Sequence, residues 1–217
     1  MKAIVLGATS GIGKSIAQNL RGACKKVVSL GSKDIDTSSL ESVEKFCKKY
    51  HGPNILVLNT GGPPDKKFDE IDDEDWIENF NKLFLSFSNI IKKIGVKKNG
   101  YVFLISSYII KQPSNELIIS SSLRTGFSSL FKSLSMIYSK KNIKFINIAP
   151  GPIKTRRLVK LLKNEGTSMK KFEKSLPGGK VPDPDEIGKF VSFVVKNKII
   201  SFNGVTIPFD ANLIKSI

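Results

Sequence analysis

The chain has 217 residues, with 40% hydrophobic and 25% charged content, which suits one globular domain large enough for a core. No apolar run approaches the roughly 18 residues that cross a bilayer. The N-terminus enters a strand at once, so no signal peptide is expected. Cys24 and Cys47 lack metal-ligand spacing and give no disulfide framework, which points to a reducing cytoplasm and no metal site. The 35 Lys and Arg against 19 Asp and Glu give a net charge of +16. Most of the excess falls in scattered lysine pairs (Lys25-Lys26, Lys48-Lys49, Lys92-Lys93, Lys97-Lys98) without interleaved aromatics. That pattern reads as a solvated surface rather than a nucleic-acid face, although its field favours anionic ligands.

Lys2-Ala3-Ile4-Val5-Leu6 is short, apolar and bounded by glycine, the pattern of a buried strand. Gly7-Ala8-Thr9-Ser10-Gly11-Ile12-Gly13 follows, and Ile12, Ile16 and Leu20 then mark the inner face of a helix. A strand, a glycine-rich turn and a helix can hold a pyrophosphate: glycines let the backbone come close, and free N–H groups at the helix start face the charge. Gly7, Thr9, Ser10, Gly11, Ile12 and Gly13 are the candidate contacts; a generic tight turn is the plain alternative. Val27-Val28-Ser29-Leu30 reads as a second buried strand ending in Gly31-Ser32-Lys33. An acid at that end would grip the ribose of NAD, whereas a hydroxyl and an ammonium accept a 2′-phosphate, so Ser32 and Lys33 favour NADP(H). Ser38 or Ser39 can cap a helix with Leu40, Val43, Cys47 and Tyr50 inward.

Residues 54–58 form an apolar strand of the parallel-sheet type, ending in Asn59-Thr60-Gly61-Gly62-Pro63-Pro64. A long amphipathic helix is expected next, with Trp76, Ile77, Phe80, Phe84, Phe87, Ile91 and Ile94 inward. Tyr101 to Ile105 is another buried strand, with Ser106-Ser107 at its C-terminal edge, where open α/β sheets bind ligands. Residues 121–138 predict a helix with Leu123, Phe127, Leu130, Phe131, Leu134 and Ile137 inward. A strand over 143–148 runs into Asn147-Ile148-Ala149-Pro150-Gly151-Pro152-Ile153-Lys154-Thr155. Residues 156–181 are polar, lysine-rich and flexible in composition. A helix starts at Pro184, with Ile187, Phe190, Val191 and Val194 inward, and 202–210 reads as a closing strand. The expected fold is a single Rossmann-type α/β domain over 1–217, a doubly wound parallel sheet.

The spacing Gly-x-x-x-Gly-x-Gly and the distant Pro150-Gly151 segment resemble the short-chain dehydrogenase/reductase family, and the resemblance runs over nearly the whole chain. It implies that Asp34-Ile35 corresponds to the Asp-Val pair that ends the family's third strand and contacts adenine. The helix that normally precedes that pair has no room here, so the fold is shortened after the second strand. The resemblance further implies that Asn59, Thr60 and Gly61 line the cofactor. Pro150, Gly151, Ile153 and Thr155 would lie beside the nicotinamide, and 155–181 would form the substrate lid. Ser107 would be the serine that orients the substrate carbonyl, and the two long helices would build a homodimer or homotetramer.

The catalytic pattern departs from the family. Its Tyr-x-x-x-Lys falls here on Ser120 and Arg124, and its asparagine falls on Leu83. A serine hydroxyl is a far weaker acid than a phenol, and arginine keeps its proton, although its planar fork can still bridge ribose hydroxyls. Tyr108 or a water relayed by Ser120 is then the candidate proton donor. His51 lies at the opposite edge of the sheet. The sequence is similar to a divergent branch whose members are commonly labelled 3-oxoacyl-carrier-protein reductases. Three functions compete: an NADP(H)-dependent oxidoreductase for a small carbonyl or alcohol, a catalytically degenerate cofactor-binding sensor or scaffold, and, on charge alone, a nucleic-acid binder.

Overall fold

The computed structural model describes residues 1–215. Six strands, β1 (Lys2–Val5), β2 (Lys26–Ser29), β3 (Ile55–Leu58), β4 (Tyr101–Ile105), β5 (Lys144–Pro150) and β6 (Val205–Phe209), form one sheet in the order β2-β1-β3-β4-β5-β6. All five pairings are parallel. The chain steps from β1 out to β2, then returns to β3 on the other side of β1. The β1/β3 boundary is therefore the switch point, where a crevice opens beyond the C-terminal strand ends.

Alternation along the strands builds two cores. Ile4, Leu6, Leu56, Leu58 and Leu104 point to one face, where Phe46, Phe87, Ile90, Phe127 and Phe131 cover them. These come from α2 (Leu40–Lys49), α4 (Ser86–Ile94) and α5 (Ile118–Ile137). Ala3, Val5, Ile55, Val57 and Phe103 point to the other face, under Ile16 and Leu20 of α1 (Gly11–Leu20) and Val191 and Val194 of α8 (Pro184–Lys196). Each fully buried side chain of this kind contributes about 1.5–3 kcal/mol. Gly188 is a point of close α1–α8 approach: a Cβ there would stand 2.4 Å from Ser15 Oγ.

Several elements differ from the sequence reading. Val27 and Val28 are only half-buried, because β2 is an edge strand. Residues 34–37 form a turn and not a strand, leaving six strands. In α2, capped by Ser39, Phe46 is buried and Leu40 exposed. The long helix is α3 (Asp73–Phe80) and α4 joined by a π turn over Asn81–Leu85. The wider turn shifts the helical register, and Ile77 (61% exposed) and Phe80 face outward. On α5, Ile137 is 68% exposed. Residues 156–181 are not structureless: α6 (Arg156–Asn164) and α7 (Met169–Ser175) enclose a small core of Leu158, Leu162 and Val181. Among the described residues, no helix is long and apolar enough to cross a membrane.

Candidate active site

The glycine loop leaves β1 with Gly7 at φ +60° and enters α1 with Gly11 at φ +51°, both in the left-handed region that glycine adopts without cost. Gly13 lies beneath the turn. A Cβ there would meet the Gly7 carbonyl oxygen at 2.2 Å and Asn59 Nδ2 at 2.7 Å. Ser10 is the extended N-cap of α1 but makes no side-chain cap, and the first turn holds no acid. The first N–H groups of the helix therefore stay free for an anion. Asn59 donates from Nδ2 to the Gly7 carbonyl at 3.2 Å, tying the exits of β3 and β1 together.

The structure places the other predicted cofactor residues around this loop. Gly31 lies under Thr9, since a Cβ there would stand 2.4 Å from Thr9 Cγ2. Ser32 and Lys33 are exposed just beyond it. Asp34 turns back, and its carboxylate accepts from the Gly31 N–H at 2.8 Å. The Ile35 side chain is buried in the core. Asp34 thus closes its own turn, and the Ile35 N–H donates to the Gly31 carbonyl at 3.1 Å. Thr60 and Thr37 share a hydrogen bond of 3.1 Å between hydroxyls, while a Cβ on Gly61 would meet nothing within 4 Å. From β5, the Gly151 N–H donates to the Phe209 carbonyl at 2.9 Å, and Ile153 is buried. Thr155 caps α6 by accepting from the Leu158 N–H. Its methyl lies 3.1 Å from where a Cβ of Gly11 would be. Segments more than a hundred residues apart in sequence thus meet at one edge of the sheet.

The second part of the site lies at the end of β4. Ser106 donates to the Ile148 carbonyl at 3.1 Å and is structural. Ser107 is half-buried and extended, and no protein group among the described residues bonds its hydroxyl. Tyr108 opens a short 3₁₀ turn over Tyr108–Ile110. Burial, and then Glu116, raise its phenol above the usual range, which makes it a poorer proton donor. Arg124 is only 8% exposed. Its Nε donates to Ser120 Oγ at 3.1 Å, and its Nη1 donates to the Ile105 carbonyl at 3.2 Å. Burial, with a smaller push from Arg157, lowers its pKa to about 10. Ser120 accepts from the guanidinium, and its own hydrogen has no acceptor among the described residues. Leu83 and Arg124 meet, with Ser106, Phe87, Leu104 and Phe127, around a cavity of about 10 Å³.

Sequence reasoning missed two residues. Asn79 is 2% exposed, with Oδ1 unbonded and Nδ2 on the Asp75 carbonyl. Its helical spacing from Trp76 and Leu83 was the available signal. Arg157 lies in the lysine-rich segment, where nothing in the pattern distinguishes it, yet its Nη2 donates to the Pro63 carbonyl at 3.2 Å across the site. Among the described residues, no group of three or more His, Cys, Asp or Glu could hold a metal.

The sequence profile of the enoyl-(acyl carrier protein) reductase family matches residues 34–211. The 3-oxoacyl-[acyl-carrier-protein] reductase FabG of Chlamydia muridarum is 27% identical, over 96% of this chain and 86% of that protein. The uncharacterized oxidoreductase YvaG of Bacillus subtilis is 24% identical, over 99% of this chain and 96% of that protein. Among solved structures, YwfH, an NADPH-dependent reductase involved in bacilysin biosynthesis, superposes with a TM-score of 0.87 at 20% identity, covering 100% of this chain and 99% of that one. The L-sorbose reductase of Gluconobacter frateurii, complexed with NADPH and L-sorbose, gives a TM-score of 0.84 at 20% identity, covering 100% and 97%.

Proposed function

The chain belongs to the short-chain dehydrogenase/reductase family, and on that premise we propose that it is an NADP(H)-dependent oxidoreductase acting on a small carbonyl or alcohol. The glycine cradle, the acid-free start of α1 and the open space at Gly61 fit a dinucleotide. The N–H groups of Gly11, Ile12 and Gly13 hold its pyrophosphate. Thr9 and Ser10 flank it, and Ser32 and Lys33 meet the 2′-phosphate. The Asp34-Ile35 backbone and Asn59-Thr60-Gly61 line the adenosine side, and Pro150, Gly151, Ile153 and Thr155 line the nicotinamide side. When bound, the cofactor supplies or accepts the hydride.

One observation carries the catalytic reading: Arg124 is buried with no carboxylate partner among the described residues and holds Ser120, whose hydrogen has no acceptor among them and is left to donate. Ser107 and Ser120 then hydrogen-bond the substrate oxygen, and the Arg124 charge stabilises the negative charge that grows there. Water refills the Ser120 proton. Tyr108 is the second candidate donor, and burial, then Glu116, hold its phenol above the usual range. The test is NADPH oxidation against a panel of aldehydes and ketones, where Ser107→Ala should lower kcat/KM about a hundredfold.

A second reading, a cofactor-binding protein without turnover, is favoured by the apolar Leu83 and the missing acidic phenol. NADPH binding with no oxidation by any of the panel would establish it. Ile77 and Phe80 on α3 and Met136 and Ile137 on α5 are exposed. They support a homodimer or homotetramer through the long helices, and a monomer by light scattering would refute that.

A further inference from the structure

We infer that the substrate carries an anionic head group, a carboxylate or phosphate, received between Arg157 and Arg124; this rests on the oxidoreductase reading of the site. Arg124 is more than nine-tenths buried, and its Nε and Nη1 donate only to neutral oxygens. Its Nη2 has no protein acceptor among the described residues. The ion pairs among those residues join Lys45 to Glu41, Lys66 to Asp75, Lys93 to Glu44 and Lys189 to Asp185, and include neither arginine. Arg157 lies in the first turn of α6 beside Arg156, and that turn holds no acid. Cations at the positive end of a helix repel its dipole, whereas an anion there is stabilised.

Arg157 also spans the site. Its Nη2 bonds the Pro63 carbonyl, and its Nη1 lies 2.8 Å from where a Gly62 Cβ would be. The guanidinium therefore lies against Gly62, over the loop after β3. The Arg157 charge reaches Arg124 strongly enough to add to the effect of burial on it. A latch on one backbone carbonyl needs a donor but not a second positive charge beside a buried first one. Two like charges without a counter-ion, one on the lid and one in the floor, complement an anion between them, and the planar fork of arginine matches carboxylate and phosphate. The cofactor phosphates have separate partners in the α1 N-terminus and Ser32-Lys33.

The experiment uses the full chain, with and without NADPH, in calorimetric titrations of benzoate, phenyl phosphate and neutral benzyl alcohol. Arg157→Gln and Arg157→Lys accompany the parent, since exposed Arg157 can change without disturbing the core. The anions should bind at least about tenfold tighter than the alcohol. Arg157→Gln should lose that advantage, Arg157→Lys should recover part of it, and NADPH affinity should hold in both. The tighter of benzoate and phenyl phosphate identifies the head group. Equal binding of alcohol and anions, or anion binding unmoved in Arg157→Gln, would overturn the inference. So would an equal loss of NADPH affinity in that variant, which would assign Arg157 to the cofactor phosphates. Anion binding by a chain that binds no NADPH would support the anion site and overturn the oxidoreductase reading instead.

Discussion

Replacing Gly13 by alanine tests the cradle with one methyl group. That Cβ would sit 2.2 Å from the Gly7 carbonyl oxygen, whereas even close carbon–oxygen contacts lie near 3.3 Å. The loop must open by about 1 Å, a distortion worth about 1–3 kcal/mol in a packed interior. The same methyl would meet Asn59 Nδ2 at 2.7 Å and displace it from Gly7, at a further cost of about 1 kcal/mol. The sum, about 2–4 kcal/mol, should lower the melting temperature by roughly 5–15 °C in a chain of this size. Binding should suffer separately. NADPH at a hundred times its Kd stabilises a protein by about 2.7 kcal/mol, and the variant, its first N–H groups displaced, should lose most of that. Thermal unfolding with and without NADPH reads both effects. A Gly13→Ala protein that melts within about 2 °C of the parent, with the same rise on adding NADPH, would refute the packing and the site together.

Lys33→Glu should weaken NADPH binding about tenfold or more while leaving NADH unchanged, measured by fluorescence titration; equal loss for both cofactors would move Lys33 away from the 2′-phosphate. Gly188→Ala should destabilise by about 1–3 kcal/mol in denaturant unfolding and also weaken NADPH binding, because its Cβ pushes α1 from α8; unchanged stability would show that the crossing can relax.

The sheet was legible because its strands are apolar runs bounded by glycine and polar turns, and because Gly7–Gly13 and Pro150–Thr155 keep their spacing. Edges were less legible: Val27 and Val28 carry a buried composition, but nothing local records that β2 has one neighbour. Ile77 and Phe80 were misplaced because the π turn over Asn81–Leu85 breaks the 3.6-residue period on which the reading relied. Motif counting reached Leu83, Ser120 and Arg124, and the structure brings Leu83 and Arg124 to one cavity. It could not show that Arg124 is buried with no counter-ion among the described residues, since that depends on which neighbours are absent. Asp34 was matched to the family's adenine-contacting pair by resemblance, which carried no sign that its carboxylate accepts from the Gly31 N–H. Arg157 gave no signal at all, as one cation among many in 156–181.

The most direct test of the account is fluorescence titration of NADPH and NADH against the parent protein, with its folding checked by circular dichroism. The account predicts that the parent binds NADPH at least about tenfold more tightly than NADH. A folded parent that binds neither nucleotide would contradict it, leaving a dehydrogenase fold that performs some other task.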